Sequence, residues 1–175
     1  MEDQQLTGLI RRHAGLIHKV AYAYCRDATD REDVIQEVAL QLWRSRDRYD
    51  ERYKETTWVY RVAINVAISF QRRERRHREG KLPTDASAIT IAAVAEVEPG
   101  EEVQLLMGCM DDLGGLDKAL VLLHLDGNDH PAIADVLGIS VSNVGTKLLR
   151  IKDKLRIALE QRAHSNRKET PNAAR

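Results

Sequence analysis

The chain has 175 residues, 43% of them hydrophobic and 31% charged, enough to bury one ordinary core or two small ones and to stay in water. No apolar run approaches the roughly 20 residues a membrane span requires, and the opening MEDQQLTGLIRRH lacks the charged-then-apolar pattern of a secretory leader. Net charge is zero, and Cys25 and Cys109 stand alone with no C-x-x-C pair. Reduced thiols and a cytoplasmic protein without a disulfide, metal site or cofactor are expected.

The zero average hides a pattern. Residues 1–80 hold 16 Lys and Arg against 13 Asp and Glu, residues 81–115 hold 1 against 7, and residues 116–175 hold 10 against 7. Two mildly basic blocks therefore flank an acidic middle. The elements read as all-α: two small helical domains joined by a flexible linker.

A first helix over 6–26 carries Leu9, Ile10, Leu16, Ile17, Val20 and Ala21 as its apolar positions. Asp30 can cap a second, REDVIQEVALQLWRSRDRY, in which Val34 or Ile35, Val38, Ala39 and Leu42 recur every three or four residues. The polar DERYKETT makes a turn, and a third helix runs from Thr57 to about Arg78. Its stripe is Trp58, Val62, Ile64 or Asn65, Ala67, Ile68 and Phe70.

That helix ends in QRRERRHREGK, five arginines and one lysine against two glutamates, more cations than a helix terminus needs. Arginine's planar fork suits phosphate. Just upstream, Tyr49, Tyr53, Trp58 and Tyr60 are four of the eight aromatic residues of the chain, interleaved with cations, a composition that suits stacking on unpaired bases. Burial of these rings in the core is the competing reading.

Residues 80–101 change texture: Gly80, Pro83, Pro99, Gly100 and small residues mark a linker, with AITIAAVAEV its only strand-like stretch. EEVQLLMGCMDDL and GLDKALVLLHLDG follow as two helices split at Gly114-Gly115. Pro131 then opens a short helix with Ile133, Ala134 and Leu137 inward. Gly138 can end it left-handed, and Ser140 can cap the next. This is a helix-turn-helix plan.

On its second helix Val141, Val144, Leu148, Ile151 and Leu155 form one stripe, leaving Ser142, Asn143, Thr146, Lys147 and Arg150 on the other side. Small hydrogen-bonding residues followed by cations fit a helix entering a major groove; a surface helix with solvated charges is the alternative. Gly145, read as facing outward, would let the backbone approach DNA closely. The tail from 162 to 175 is expected to be disordered.

DREDVIQEVALQLWRS and TTWVYRVAINVAISFQRRERR together resemble region two of the sigma-70 family, and GNDHPAIADVLGISVSNVGTKLLRIKDKLRIAL is similar to its region four. The short two-domain layout resembles the extracytoplasmic-function (ECF) branch. The resemblance implies a three-to-four-helix bundle over 1–79, a linker over 80–101 and a helix-turn-helix domain over 102–161. It also implies a non-catalytic subunit that binds core RNA polymerase, through the beta-prime clamp helices and the beta flap, and directs promoter recognition and melting for a specialised regulon.

Carried over by position, Asp33, Gln36, Glu37, Leu40 and Trp43 would contact polymerase. Tyr53, Trp58, Arg61, Asn65, Ser69, Arg72, Arg73 and Arg76 would hold the minus-ten element, the loop from Arg48 to Thr57 cradling a flipped base. Ser140, Ser142, Asn143, Thr146, Lys147 and Arg150 would read the minus-thirty-five element. An anti-sigma partner, able to hold the chain at the membrane, is a family expectation. Ser69 stands where the family often has Asp, Ala132 where it has Glu, and Gly145-Thr146-Lys147 where it has Lys-Ser-Arg, departures that bear on the promoter sequence preferred.

Three rival classes compete. An enzyme would have to use Asp111-Asp112 or His124 with His130, which lack a nucleophile–base pair or phosphate loop. A regulator of duplex DNA alone leaves DVIQEVALQLW and the aromatic–arginine segment without purpose. A protein-interaction module is the third.

Overall fold

The computed structural model describes residues 2–78 and 100–168. Among these the chain forms α1 (Asp3–Arg12), α2 (Ala14–Tyr24), α3 (Ala28–Ser45), α4 (Glu55–Arg78), α5 (Glu101–Met110), α6 (Gly115–Leu125), α7 (His130–Leu137) and α8 (Val141–Lys168), with a 3₁₀ turn at Arg46–Arg48. The described residues contain no strand, as an all-α chain requires. AITIAAVAEV, most of the linker and residues 169–175 lie outside the described residues.

Three boundaries differ from the sequence expectation, each for a local reason. The first helix is two, broken at His13 (φ −105°, ψ 13°), which ends α1 and begins α2. Both residues at the break turn to the start of α4: Arg12 bonds both Glu55 oxygens at 3.0 Å, and the His13 ring lies 3.4 Å from one of them. The cap of α3 is Asp27, not Asp30. Its backbone is extended and its carboxylate accepts from the Thr29 amide at 2.8 Å, while Asp30 falls inside the first turn, where a negative charge favours the helix dipole.

The last helix runs on to Lys168, past the tail expected to begin at 162. No glycine or proline interrupts it after Gly145, and Arg162 donates to the Gly108 carbonyl at 2.7 Å, tying its last turns to α5.

The front body packs α2, α3 and α4 together with α1 alongside. Val34, Val38 and Leu42 of α3, four apart, are fully buried against Val20 and Ala21 of α2 and Val59, Ala63 and Ala67 of α4. Each of these valines and the leucine contributes about 1.5–3 kcal/mol of burial, and each alanine less. The alternatives on the stripes resolve by packing: Val34 is sealed and Ile35 half-buried, Ile64 is sealed and Asn65 faces solvent.

In the rear body α6 is enclosed by α7 and α8, so its run from Lys118 to Leu123 is buried all round. Asp129 caps α7 by accepting from the Ala132 amide at 2.9 Å, and Gly138 ends it at φ 65°, donating to the Ala134 carbonyl. The Ser140 hydroxyl accepts from the Asn143 amide at 3.3 Å, and α8 leaves α7 at a bend of 100°. The α8 stripe is Val144, Leu148 and Ile151, with Leu155 half-buried. Val141 is 47% exposed because it is the first residue of α8, ahead of the turn that packs down. The two bodies touch directly: α2 and α4 lie against α6 and α7, and one continuous set of buried residues runs through both.

Candidate nucleic-acid and partner interfaces

Three surfaces come out of this packing. The first is the outer side of α3. Burying Val34, Val38 and Leu42 turns Asp33 and Glu37 to solvent, with Gln36 and Leu40 half-buried and Trp43 47% exposed. The Arg46 guanidinium sits 4.5 Å from the centre of the Trp43 ring, and Arg44 lies 3.9 Å from Glu37. A large exposed ring on an otherwise polar helix face has the make-up of the aromatic hot spots found in protein interfaces. Arg46 was not singled out from the sequence, although its position three residues after Trp43 places it over the ring.

The second surface is the loop before α4 and the outward side of α4. Trp58 meets both readings of the aromatics: it packs partly on the core, and Tyr49 leans on it with centroids 4.9 Å apart. Tyr53 is 43% exposed, and the Arg61 guanidinium lies 5.2 Å from its ring centre. Asn65, Ser69, Arg72 and Arg76 follow at spacings of four, three and four along the same side, all exposed, with Arg73 leaning over Phe70 at 5.2 Å. Arg61 is also engaged with α7, its Nε donating to the Asp135 carbonyl at 2.9 Å. Tyr60 is buried; its hydroxyl bonds Asp126.

The third surface is the start of α8. Ser140, Ser142, Asn143, Thr146 and Arg150 are exposed on it. The Thr146 hydroxyl donates to the Ser142 carbonyl at 3.0 Å, so its methyl and oxygen are held in one rotamer. Lys147 does not stand free on this face: it is half-covered, with its ammonium 3.7 Å from Asp117 of α6. Gly145 does not face open solvent either. It faces the His130 ring of α7, and a methyl group there would make an ordinary 3.7 Å contact. Leu149, missed in the sequence, is 66% exposed beside Arg150.

Of the groups an enzyme would need, one carboxylate is engaged in the fold. Asp111 pairs with Arg26 and lies 3.7 Å from the buried ammonium of Lys118, whose pKa is lowered, chiefly by burial. Burial, with Asp30 adding to it, pushes the Cys25 thiol up to about 12, so it is not a nucleophile near neutrality.

Fold and surfaces together define a two-body helical factor for nucleic acid. Two family models match it: "Sigma-70 region 2" over residues 9–77 and "Sigma-70, region 4" over residues 104–155, together well over half of the chain. Among relatives, it is 28% identical over 162 residues to the RNA polymerase sigma factor CnrH of Cupriavidus metallidurans, covering 87% of this chain and 85% of that one. It is 26% identical over 152 residues to the ECF sigma factor SigE of Mycolicibacterium smegmatis, covering 85% of this chain but only 59% of the relative's length. Its fold is similar to a solved structure of CnrH in complex with the cytosolic domain of CnrY, with a TM-score of 0.67, 20% identity, and 91% and 90% of the two chains covered.

The chain belongs to the sigma-70 family, in its extracytoplasmic-function branch. As a sigma factor it binds core RNA polymerase and directs transcription initiation at promoters.

Proposed function

We propose that the two bodies divide one promoter between them. Residues 1–79 form the front body, which binds polymerase and opened DNA. Residues 80–101 connect it to residues 102–161, which read duplex DNA upstream. On α3, Asp33, Gln36, Glu37, Leu40 and Trp43 face the beta-prime clamp helices, while the rear body contacts the beta flap. On α4 and the loop before it, Tyr53, Trp58, Arg61, Asn65, Ser69, Arg72, Arg73 and Arg76 hold the minus-ten strand. Flipping a base out of the stack costs a few kcal/mol. Stacking on aromatic rings at about 1–3 kcal/mol per base, with arginine–phosphate pairs, offsets it.

On α8, Ser142, Asn143 and Thr146 stand at the amino end of the helix, where base edges lie. Ser140, Lys147 and Arg150 flank them toward phosphates. No bond is made or broken by the chain itself. Its place is the cytoplasm, and its regulator an anti-sigma factor, a reading supported by the likeness to CnrH, which was solved with the cytosolic domain of CnrY.

The observation that carries this proposal is the presence, in one chain, of a helix-turn-helix reading face and a separate arginine–aromatic face. A regulator of duplex DNA uses the first and leaves the second idle. Run-off transcription with purified core polymerase tests it. Promoter-specific transcripts that depend on the added chain are expected; tight binding to duplex without polymerase, and no specific transcript with it, would establish the duplex regulator instead.

A further inference from the structure

The reading face of α8 has a carboxylate set against its edge. Lys147 stands there, between exposed Thr146 and buried Leu148, and its ammonium lies 3.7 Å from Oδ1 of Asp117. Asp117 belongs to the first turn of α6, where the backbone amides of a helix start favour a negative charge. From Lys118 to Leu123 α6 is buried on every side, so the carboxylate is carried on a helix fixed by its packing.

The two side chains are 34% and 23% exposed. The pair is neither sealed in the core nor loose in water, and it borders the surface assigned above to duplex DNA. Its length exceeds that of a hydrogen bond, so the ammonium can still turn its protons to a phosphate oxygen. Its charge is a separate matter. A cation gains from DNA through its charge and through the counterions its arrival sets free, and a carboxylate this close cancels part of both. Arg150, nearly one turn on, stands exposed.

We infer that Asp117 is an affinity-limiting residue for the upstream contact: acting through Lys147, it weakens the grip of the rear body on the DNA backbone, and it does so for every sequence alike. The inference rests on the assignment of the α8 face made above. Phosphate contacts carry no sequence information, whereas the base edges met by Ser142, Asn143 and Thr146 do. Restraining the first and sparing the second lowers the occupancy of unrelated duplex and leaves the preference among sequences as it was. A rear body built this way holds DNA firmly only when the front body and polymerase engage the same promoter, because each site raises the effective concentration of the other.

The test uses holoenzyme assembled from core polymerase and the full chain, on duplex fragments carrying the upstream element of a promoter it transcribes, intact or scrambled. Asp117→Asn keeps the shape of the side chain and removes its charge. It should tighten binding to both fragments by about two- to fivefold, the scale of a partly exposed ion pair, and steepen the salt dependence by up to about one. A merely structural role for the pair predicts weaker binding instead, so the sign separates the two. Asp117→Glu should stay near the parent in affinity and slope. In a Lys147→Ala background, Asp117→Asn should change neither.

Unchanged or weaker binding by Asp117→Asn overturns the inference, as does Asp117→Glu behaving like Asp117→Asn. So does tightening confined to the intact element. Tightening of equal size without Lys147 also overturns it, because the carboxylate would then repel DNA directly. Arg150→Ala keeps this inference apart from the reading it rests on. If Arg150→Ala weakens binding while Asp117→Asn has no effect, the α8 face reads DNA and the role of Asp117 alone is wrong. If neither variant has any effect, the assignment of the α8 face fails and the inference falls with it.

Discussion

Gly145 is where a single methyl group separates stability from recognition. A methyl there would rest 3.7 Å from the His130 ring, so alanine fits. Glycine within a helix costs about 1 kcal/mol relative to alanine, and Gly145→Ala should therefore raise the thermal midpoint in scanning calorimetry. Because that methyl would point at His130 and not into the groove, the same variant should leave upstream-element binding by holoenzyme unchanged, and a marked loss would show that the bare backbone at 145 lies against DNA. Glu55 makes a pH prediction. The Arg12 hydrogen bond, and then His13, hold its carboxyl below the usual range, so its links stabilise the fold above the ordinary glutamate value of about 4.3. That contribution is lost as pH falls through the lowered folded value. The side chain is 40% exposed, so Glu55→Gln should cost less than about 1 kcal/mol at pH 7, with the gap to wild type closing in acid denaturation curves. Neither partner of Glu55 was legible in the sequence, because Arg12 lies 43 residues away and His13 lies 42.

At the scale of elements, periodicity showed which residues face inward, and end effects decided the exceptions. The stripe through Val144, Leu148 and Ile151 was readable because three- and four-residue steps stay on one side of a helix. Val141 obeys the same spacing, yet stands ahead of the contact with α7. Lys147 was readable as a cation on the far side of that stripe, but not as the partner of Asp117, which lies 30 positions away on a different helix. The two cations of α8 should therefore behave differently. Arg150→Ala should weaken upstream-element binding by holoenzyme and lower the salt slope of that binding by about one. Lys147→Ala should also lower thermal stability, because it leaves Asp117 without that contact. On α3, Trp43→Ala combined with Gln36→Ala should reduce association with core polymerase by tenfold or more, read by titration of labelled chain. Unaltered association would remove α3 from the polymerase contact.

Across the whole molecule, the order of basic, acidic and basic blocks pointed to two bodies, and the helices fell into two bodies accordingly. How the bodies sit together was beyond sequence reasoning. Lys19 and Asp126 are 107 positions apart, Arg26 and Asp111 are 85, and Arg61 and Asp135 are 74, so no local spacing marks these pairs. Asp111 illustrates the difficulty: in the sequence it belongs to an acidic pair that suggests chemistry, and in the fold it joins the bodies. The division of one promoter between the bodies is the central claim, and run-off transcription by reconstituted holoenzyme on templates with each element scrambled in turn tests it most directly. Arg150→Ala should erase the penalty for scrambling the upstream element and leave the minus-ten penalty intact, and Arg72→Ala with Arg73→Ala should do the reverse. If either variant erases both penalties equally, or neither, the two bodies do not divide the promoter.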